Sequence, residues 1–249
     1  MEVDNLNKEL KLAVKAAKDA GKLLIENKKE LNLSIDSDPK DTKLKADISS
    51  EDLIKEIITA NSNYPILAEE SGKSSDDLGD IFWVIDPLDG TANFNRDIPI
   101  CCVSIGLVKK MKPLLGVIYD FNNDDLYEGN NIINTATLNQ KDIKVSDISE
   151  KNNGILVTGL PFNTDYSDES LSSLITDMQS WKKVRMIGSA AMASCYIASG
   201  RAELYKEKGI YLWDIIAGAS IVQAAGGKAE ILNMNESFQV DVVFSNSNI

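Results

Sequence analysis

The sequence predicts a layered α/β fold, in which helices pack on mostly buried strands. Three observations lead to this prediction. Apolar residues recur at helical spacing from Leu6 to Leu24, which predicts a long amphipathic helix at the start of the chain. Short apolar runs typical of buried strands alternate with further helical segments, and no internal repeat interrupts this alternation. The 249 residues are enough to bury a sizeable core.

The remaining elements follow from the same patterns. Strands are predicted at residues 65–68, 81–85, 101–108, 114–120, 154–158, 184–187, 204–205 and 241–245. A second helix is predicted after Asp47, where Ser49 and Asp52 have the spacing of a capping box. Later helices are predicted at residues 170–181, 189–198 and 214–225. A change of composition at residues 147–153 predicts two regions, 1–150 and 151–249.

The balance of charges and the absence of histidine exclude several classes of function. The chain has 38 acidic and 26 basic residues, a net charge of −12, which argues against nucleic acid and an anionic membrane as partners. Without histidine there is no Ser-His-Asp or Cys-His site and no imidazole-based zinc site. A catalytic metal would therefore have oxygen ligands, which favours Mg²⁺, with Mn²⁺ and Ca²⁺ as alternatives.

The cysteines and the first residues predict where the protein works. The three cysteines do not have the spacing of a metal site, and Cys101 and Cys102 lie in an apolar run where buried free thiols are expected. Residues 1–5 are polar and acidic, unlike a signal peptide, and no apolar run approaches the length of a membrane span. We therefore expect a cytoplasmic protein.

The most informative segment runs from Asp86 to Thr91, directly after a buried apolar run. Asp86 is predicted to close the strand, and Pro87 and Gly90 to form a turn. Ligands of open α/β sheets bind at this edge, and the carboxylates of Asp86 and Asp89 would repel each other unless cations lay between them. If Thr91 begins a helix, the amides of Gly90 and Thr91 can bind a phosphate oxygen. The alternative is an ordinary solvated turn.

Other carboxylates stand at the ends of predicted elements. Glu69 and Glu70 follow a predicted strand, whereas Asp47 and Asp214 precede predicted helices. Taken singly, each has an ordinary explanation as a surface glutamate or a helix cap. Taken together, in a chain without histidine, these carboxylates are better explained by one site that binds several metal ions through oxygen ligands than by unrelated surface positions.

Two longer segments carry a resemblance to a known family. Residues 83–94, Trp-Val-Ile-Asp-Pro-Leu-Asp-Gly-Thr-Ala-Asn-Phe, resemble the first signature of the inositol monophosphatase family, and residues 212–219, Leu-Trp-Asp-Ile-Ile-Ala-Gly-Ala, resemble the second. Residues 67–71 resemble the glutamate motif that precedes the first signature, and residues 188–191 and 207–209 stand where the family has matching segments. The resemblance keeps a consistent order over most of the chain.

The resemblance implies a fold and a set of site residues. The implied fold is a five-layer α/β/α/β/α sandwich of the inositol monophosphatase and fructose-1,6-bisphosphatase type, generally dimeric and generally lithium-sensitive. The implied ligands of Mg²⁺ are Glu69, Asp86, the Leu88 carbonyl, Asp89 and Asp214.

The resemblance also assigns roles beyond the metal ligands. Thr91, with Asp47 and Glu69, would orient the attacking water. The residues implied to contact the substrate are Asp89, Gly90, Thr91, Ala190, Glu207 and Asp214. Among them, the backbone amides of Gly90 and Thr91 would hold the phosphate. For Glu207 there is an alternative, because it lies between two lysines and would be solvated on an open surface.

We therefore predict a phosphoric monoester hydrolase that acts on inositol monophosphate or a related small polyol phosphate. The prediction includes two or three Mg²⁺ ions, Mn²⁺ as an alternative, inhibition by Li⁺, and a homodimer. Within the same enzyme class, the alternatives are fructose-1,6-bisphosphatase, 3′,5′-bisphosphate nucleotidase and histidinol-phosphatase. From a different class, the alternative is a catalytically silent interaction protein, which should have lost at least one carboxylate of the ligand set.

Overall fold

A computed structural model describes residues 3–38, 41–160 and 165–249 of the protein. The helices in these ranges are α1 (Val3–Glu26), α2 (Lys28–Leu31), α3 (Lys45–Thr59), α4 (Thr91–Asn95), α5 (Asp168–Gln179), α6 (Ala190–Ala198) and α7 (Leu212–Ala224). None of these helices is both long and apolar enough to span a membrane.

The described strands are β1 (Ser34–Asp38), β2 (Asp41–Leu44), β3 (Ile66–Ala68), β4 (Gly72–Lys73), β5 (Ile81–Asp89), β6 (Cys102–Lys109), β7 (Lys112–Asp120), β8 (Asp125–Asn130), β9 (Thr135–Leu138), β10 (Lys141–Asp142), β11 (Ile155–Thr158), β12 (Lys183–Met186), β13 (Leu204–Tyr211), β14 (Lys228–Leu232) and β15 (Gln239–Ser245). β1 and β2 form a hairpin. The others form an eight-stranded sheet, ordered β10-β9-β8-β7-β6-β5-β3-β4, and a five-stranded sheet, ordered β12-β11-β13-β15-β14.

Three apolar clusters show how the elements stack. α1 and α3 cover one face of the eight-stranded sheet, and α6 and α7 lie between the two sheets. On the far side of the five-stranded sheet, Met178 of α5 and Trp181 pack against Leu156 and Leu204. The predicted five-layer sandwich is therefore confirmed, with most of the core in the two layers that flank the larger sheet.

α7 approaches the larger sheet closely because the sheet presents glycine to it. A methyl group on Gly116 of β7 would lie 2.1 Å from the carbonyl oxygen of Ala217 in α7. Such a contact is impossible without moving the helix, so the lack of a side chain at this position sets the helix–sheet distance. The position of α7 matters because its first turn carries Asp214.

Several predicted boundaries were wrong in informative ways. The strand predicted at residues 204–205 extends to Tyr211, because β13 pairs with β15 along its length despite its polar residues. The helix predicted to start near Ser49 begins at Lys45, so Asp47 lies inside its first turn. The two large sheets fall on either side of residues 147–153 in sequence, and the division into regions 1–150 and 151–249 stays a prediction.

Candidate active site

Two parallel strands place the first pair of carboxylates together. β3 and β5 run in parallel with Ala68 opposite Ile85, so Glu69 and Asp86 leave the same edge of the sheet. The amide of Glu69 donates to the carbonyl of Ile85 at 3.1 Å, which holds this segment beside β5. After burial, the charge of Glu69 is the next contribution that raises the pKa of Asp86, so the two carboxyl groups are close enough to repel each other. Positive charge is therefore needed where they meet.

Asp89 reaches the same place because β5 contains an irregularity. The prediction that Asp86 ends the strand was wrong, since pairing with β6 resumes at Asp89. Asp86 lies opposite Ser104 and Asp89 opposite Cys102, so three steps along β5 face two along β6. In a regular strand, residues three apart point to opposite faces, and one extra residue removes that difference.

Asp86 and Asp89 are both buried, at 2% and 8% exposure, and each accepts hydrogen bonds from other residues of the protein. Asp86 Oδ1 accepts the amide hydrogen of Leu88 at 3.0 Å. Asp89 accepts the hydroxyl of Ser189 and the amides of Ala190 and Ala191, the latter at 2.8 Å. The start of α6 therefore holds Asp89 in position.

Gly90 and Thr91 begin the predicted helix. Gly90 has a φ of 91°, a left-handed conformation that favours glycine, and a methyl group there would lie 2.8 Å from the carbonyl of Ile100. Thr91 is the first residue of α4. Its hydroxyl lies 2.9 Å from Asp47 Oδ1 and 3.1 Å from the carbonyl of Leu88.

Asp47 is a buried carboxylate between two donors. It is 1% exposed, and its second oxygen accepts the amide hydrogen of Leu44 at 2.7 Å. Burial raises the pKa of Asp47 to about 6, although the bonds from Leu44 and Thr91 oppose this effect.

Asp214 comes from the second half of the chain. It is the third residue of α7, and its Oδ2 accepts the amide hydrogen of Tyr211 at 2.8 Å. Burial and then the charge of Asp89 raise the pKa of Asp214 well above its usual range. Burial also raises the pKa values of Glu69 and Asp86. The next largest contribution comes from the charge of Asp214 for Glu69 and from the charge of Glu69 for Asp86. The Glu69 side chain keeps some contact with water, but protein groups crowd its carboxyl group, so desolvation contributes most to its raised pKa and repulsion from its neighbours comes next.

The structure also places Glu207 and Ala190 beside these carboxylates. Glu207 lies in β13, half-buried, and its Oε2 accepts the hydroxyl of Tyr205 at 2.9 Å. Burial, and to a smaller extent the charge of Asp89, raise the pKa of Glu207 to about 7, although the hydrogen bond from Tyr205 opposes them. The alternative of a solvated surface side chain is therefore wrong. Ala190 begins α6, where its amide donates to Asp89 at 3.3 Å.

A metal ion would need these oxygens to turn toward it. Within the described ranges, no three acidic or cysteine side chains already form a ready ligand set around one point. The carboxylates are instead neighbours that accept hydrogens from Leu88, Ser189 and Tyr211. Their mutual repulsion and their purely oxygen donors fit Mg²⁺. The required movement is rotation of side chains, because the backbone already brings them together.

Sequence reasoning gave no role to several residues at this site. The hydroxyl of Ser189 donates a hydrogen bond to Asp89. Two side chains of α3, Ser50 and Glu51, form hydrogen bonds with the segments that carry the carboxylates. Lys43 forms an ion pair with Glu70. A signal for α3 was present, since three polar residues at positions 47, 50 and 51 share one helical face.

Solved structures identify the class of protein. The fold matches a structure described as inositol monophosphatase from Anabaena (Nostoc) at a TM-score of 0.84, with 34% identity over 98% of this chain and 93% of that one. Together with the acidic edge of the sheet, this likeness defines a phosphoric monoester hydrolase of the layered α/β type.

The sequence assigns the family. A sequence model of the Inositol monophosphatase family matches residues 5–246, and the chain belongs to this family. The family is metal-dependent and acts on small phosphorylated substrates. Inositol-1-monophosphatase of Synechocystis is 38% identical over 184 residues, 73% of this chain and 64% of that protein. A protein of Xylella fastidiosa named Nus factor SuhB is 37% identical over 220 residues, 87% of this chain and 79% of that protein.

Proposed function

We propose that the protein hydrolyses a small phosphate monoester with Mg²⁺, and that inositol monophosphate or a related polyol phosphate is the substrate. The observation that carries the proposal is the meeting of Glu69, Asp86, Asp89 and Asp214 from three separate elements. Burial raises the pKa of all four carboxyl groups, and the charges of the first, third and fourth each raise the pKa of at least one other. Carboxylates gathered in this way are stable together when cations neutralise them.

The proposed metal ligands are Glu69, Asp86, the Leu88 carbonyl, Asp89 and Asp214. When bound, two or three Mg²⁺ ions would supply Lewis-acid chemistry, lowering the pKa of water and stabilising charge on the phosphate and leaving oxygen. Mn²⁺ has the same preference for oxygen ligands and is the proposed substitute. Li⁺ is the proposed inhibitor, by the likeness of this chain to its family.

Thr91 is proposed to orient the attacking water, with Asp47 and Glu69. Its hydroxyl has two acceptors within reach, Asp47 and the carbonyl of Leu88, and its one hydrogen is donated to them, so a lone pair of the Thr91 oxygen is free to accept a hydrogen bond from water. The water oxygen would then attack phosphorus in line with the ester oxygen and give up one proton to the solvent, while the bond between phosphorus and the ester oxygen breaks. The departing alkoxide takes up one proton from water, so that one water molecule is consumed for each alcohol and phosphate released. The nearby carboxylate of Glu69 directs the second hydrogen of the water.

The remaining site residues are proposed to hold the substrate. The amides of Gly90 and Thr91 bind the phosphate, and Asp89 and Asp214 would lie near it, with the metal ions that they hold offsetting the repulsion between carboxylate and phosphate. Ala190 leaves room for a ring, and Glu207 accepts hydrogen bonds from its hydroxyl groups. A ring rich in hydroxyls is therefore the proposed leaving group.

The test of this proposal combines ligand variants with a substrate panel. Asp89→Asn and Asp214→Asn are expected to lower phosphate release by about 100-fold or more, while Asp52→Asn, an exposed change on α3, leaves it unaltered. Unchanged turnover in the first two variants would show the mechanism to be wrong. The panel includes inositol 1-phosphate, fructose 1,6-bisphosphate, adenosine 3′,5′-bisphosphate and histidinol phosphate, which represent the alternative activities.

A second candidate function is favoured by the names of some relatives. The Xylella protein and others are called Nus factor SuhB, a name that points to an interaction role. This chain in such a role would be a catalytically silent binding protein, and its net charge of −12 favours a protein partner over nucleic acid. Calorimetry with Mg²⁺ separates the two candidates, since absence of binding would favour the silent one.

The proposed setting is a cytoplasmic homodimer. Cys101, Cys102 and Cys195 are free and buried, which suits a reducing compartment. Light scattering on the purified protein measures the oligomer directly, and a monomer at micromolar concentration would contradict the dimer.

A further inference from the structure

We propose that Glu51 is a positioning residue, which fixes the turn that carries Glu69 and thereby sets the metal affinity of the site. The proposal rests on the function proposed above. Glu51 lies on α3 and is 1% exposed, although its side chain is charged. A buried carboxylate is costly unless its oxygens receive hydrogen bonds, so its partners explain why it is there.

The partners of Glu51 are two consecutive backbone amides. Oε2 accepts from the amide of Glu70 at 2.8 Å, and Oε1 accepts from the amide of Ser71 at 3.0 Å. These amides belong to the turn between β3 and β4, immediately after Glu69. Hydrogen bonds to a charged acceptor are roughly twice as strong as neutral ones, so a single side chain anchors two consecutive residues of this turn.

Lys55 completes the anchor. Its ammonium group lies 3.6 Å from Glu51 Oε1, one helical turn away, and donates to the hydroxyl of Ser71 at 2.8 Å. The backbone and the side chain of Ser71 are therefore both attached to α3. The sheet holds Ala68 on one side of Glu69, and α3 holds Glu70 on the other, so Glu69 keeps its backbone direction while its carboxylate remains free to rotate.

The same face of α3 also holds the other ligand-bearing segment. Asp47 bonds the hydroxyl of Thr91, and the hydroxyl of Ser50 donates to the carbonyl of Pro87 at 2.8 Å, between Asp86 and Asp89. Residues three and four apart on a helix lie on one face, so a single rigid element fixes the separation of both turns. The contact of Glu51 is the part of this arrangement that acts on Glu69.

The experiment compares Glu51→Gln with Glu56→Gln, an exposed change of the same kind on the same helix. The amide of glutamine keeps the shape but offers one acceptor in place of two. We expect the dissociation constant for Mg²⁺, measured by calorimetry, to rise about 10-fold to 100-fold in Glu51→Gln and to stay unchanged in Glu56→Gln. Hydrogen exchange at the amides of Glu70 and Ser71 should accelerate only in the first variant.

Kinetics separate positioning from a general loss of stability. Glu51→Gln should need more Mg²⁺ for half-maximal phosphate release, while KM for the substrate at saturating Mg²⁺ stays near the wild-type value. Glu51→Asp keeps the charge but is one methylene shorter, so it should show the same change in Mg²⁺ affinity. Wild-type Mg²⁺ affinity in a folded Glu51→Gln or Glu51→Asp protein would overturn the proposal.

Two further outcomes are decisive. If neither variant folds, exchange in the wild-type protein tests the anchor, because amides of Glu70 and Ser71 that exchange as fast as those of an open loop would overturn it. If wild-type protein neither binds Mg²⁺ nor releases phosphate from any ester, the proposed function fails. The effect of Glu51→Gln on exchange would still report whether the anchor exists.

Discussion

Thr91 is the residue at which the start of a helix coincides with the proposed chemistry. Its backbone opens α4, and its hydroxyl lies within hydrogen-bonding distance of both Asp47 and the carbonyl of Leu88. A hydroxyl has one hydrogen and two lone pairs, so Thr91 can donate a hydrogen bond to the buried Asp47 and accept another that orients a water molecule. Few other side chains would combine the helix start with that geometry.

We predict that Thr91→Val lowers kcat by about 100-fold, because the hydroxyl that aligns water is lost and Asp47 loses a donor. Thr91→Ser keeps the hydroxyl and should stay within a few-fold of wild type. Steady-state phosphate release at saturating Mg²⁺ measures both. Wild-type turnover in Thr91→Val would remove Thr91 from the mechanism.

Glu207 gives the protein a predicted pH dependence of stability. Its folded pKa of about 7 lies above the ordinary value of 4.5, because burial disfavours the charge. From pH 4.5 to 7 the folded state holds the proton more tightly than the unfolded state, so stability is lost as pH rises through this window. Below the window there is no penalty from this group, and above it the penalty is complete, at about 3 kcal/mol.

Glu207→Gln should therefore flatten the dependence and be more stable than wild type at pH 8, without Mg²⁺. The free energy of unfolding in urea, measured from pH 5 to 8, tests this prediction. Glu236→Gln, an exposed change, serves as the control. An identical slope in wild type and Glu207→Gln would contradict the assigned burial.

At the scale of elements, the helix between the sheets links the two halves of the site. α7 packs against the eight-stranded sheet and carries Asp214, whereas the other proposed acidic ligands lie at the carboxyl ends of β3 and β5 in that sheet. The approach of α7 to Gly116 therefore controls how far Asp214 stands from Asp86 and Asp89. Packing of this kind is sensitive to a single methyl group.

We predict that Gly116→Ala destabilises the protein by about 2–3 kcal/mol and weakens Mg²⁺ binding, because α7 must move away from β7. Gly79→Ala provides a comparison. Gly79 has a φ of 64° with open space around it, so alanine there costs about 1 kcal/mol of backbone strain and should leave Mg²⁺ binding unchanged. Equal effects of the two variants on Mg²⁺ affinity would show that α7 does not position Asp214.

At the scale of the whole molecule, the net charge of −12 and the clustered carboxylates make folding and cation binding interdependent. The carboxylates are close only in the folded chain, so a divalent ion binds the folded state more tightly than the unfolded state. Without cations, repulsion among the carboxylates destabilises the folded state. Bound cations remove this repulsion and so stabilise the folded state.

We predict that Mg²⁺ at about 100 times its dissociation constant stabilises the protein by roughly 2.7 kcal/mol and raises Tm by about 5–10 °C. Thermal unfolding with MgCl₂, against NaCl at equal ionic strength, measures the specific effect. Asp214→Asn should lose most of it. A rise of Tm that NaCl reproduces fully would point to screening of charge alone.

Much of the fold and of the site could be predicted from the chain alone, because their signals are local. Apolar runs gave the strands around Glu69 and Asp86, and the helix start at Thr91 was predicted, whereas the turn predicted from Asp86 is an irregular continuation of β5. The full extent of β13 was missed because its residues are polar, and pairing with β15, distant in sequence, stabilises it.

The sequence by itself determined the kind of chemistry, since the lack of histidine and the two signature segments allow only oxygen ligands and indicate one family. Only the tertiary structure decided how those ligands are held: the extra residue in β5, the contact of α7 with Gly116, and the anchoring of Glu69 by Glu51. The physical reason is that residue types are fixed along the chain, whereas distances between carboxylates depend on packing and hydrogen bonds among residues far apart in it.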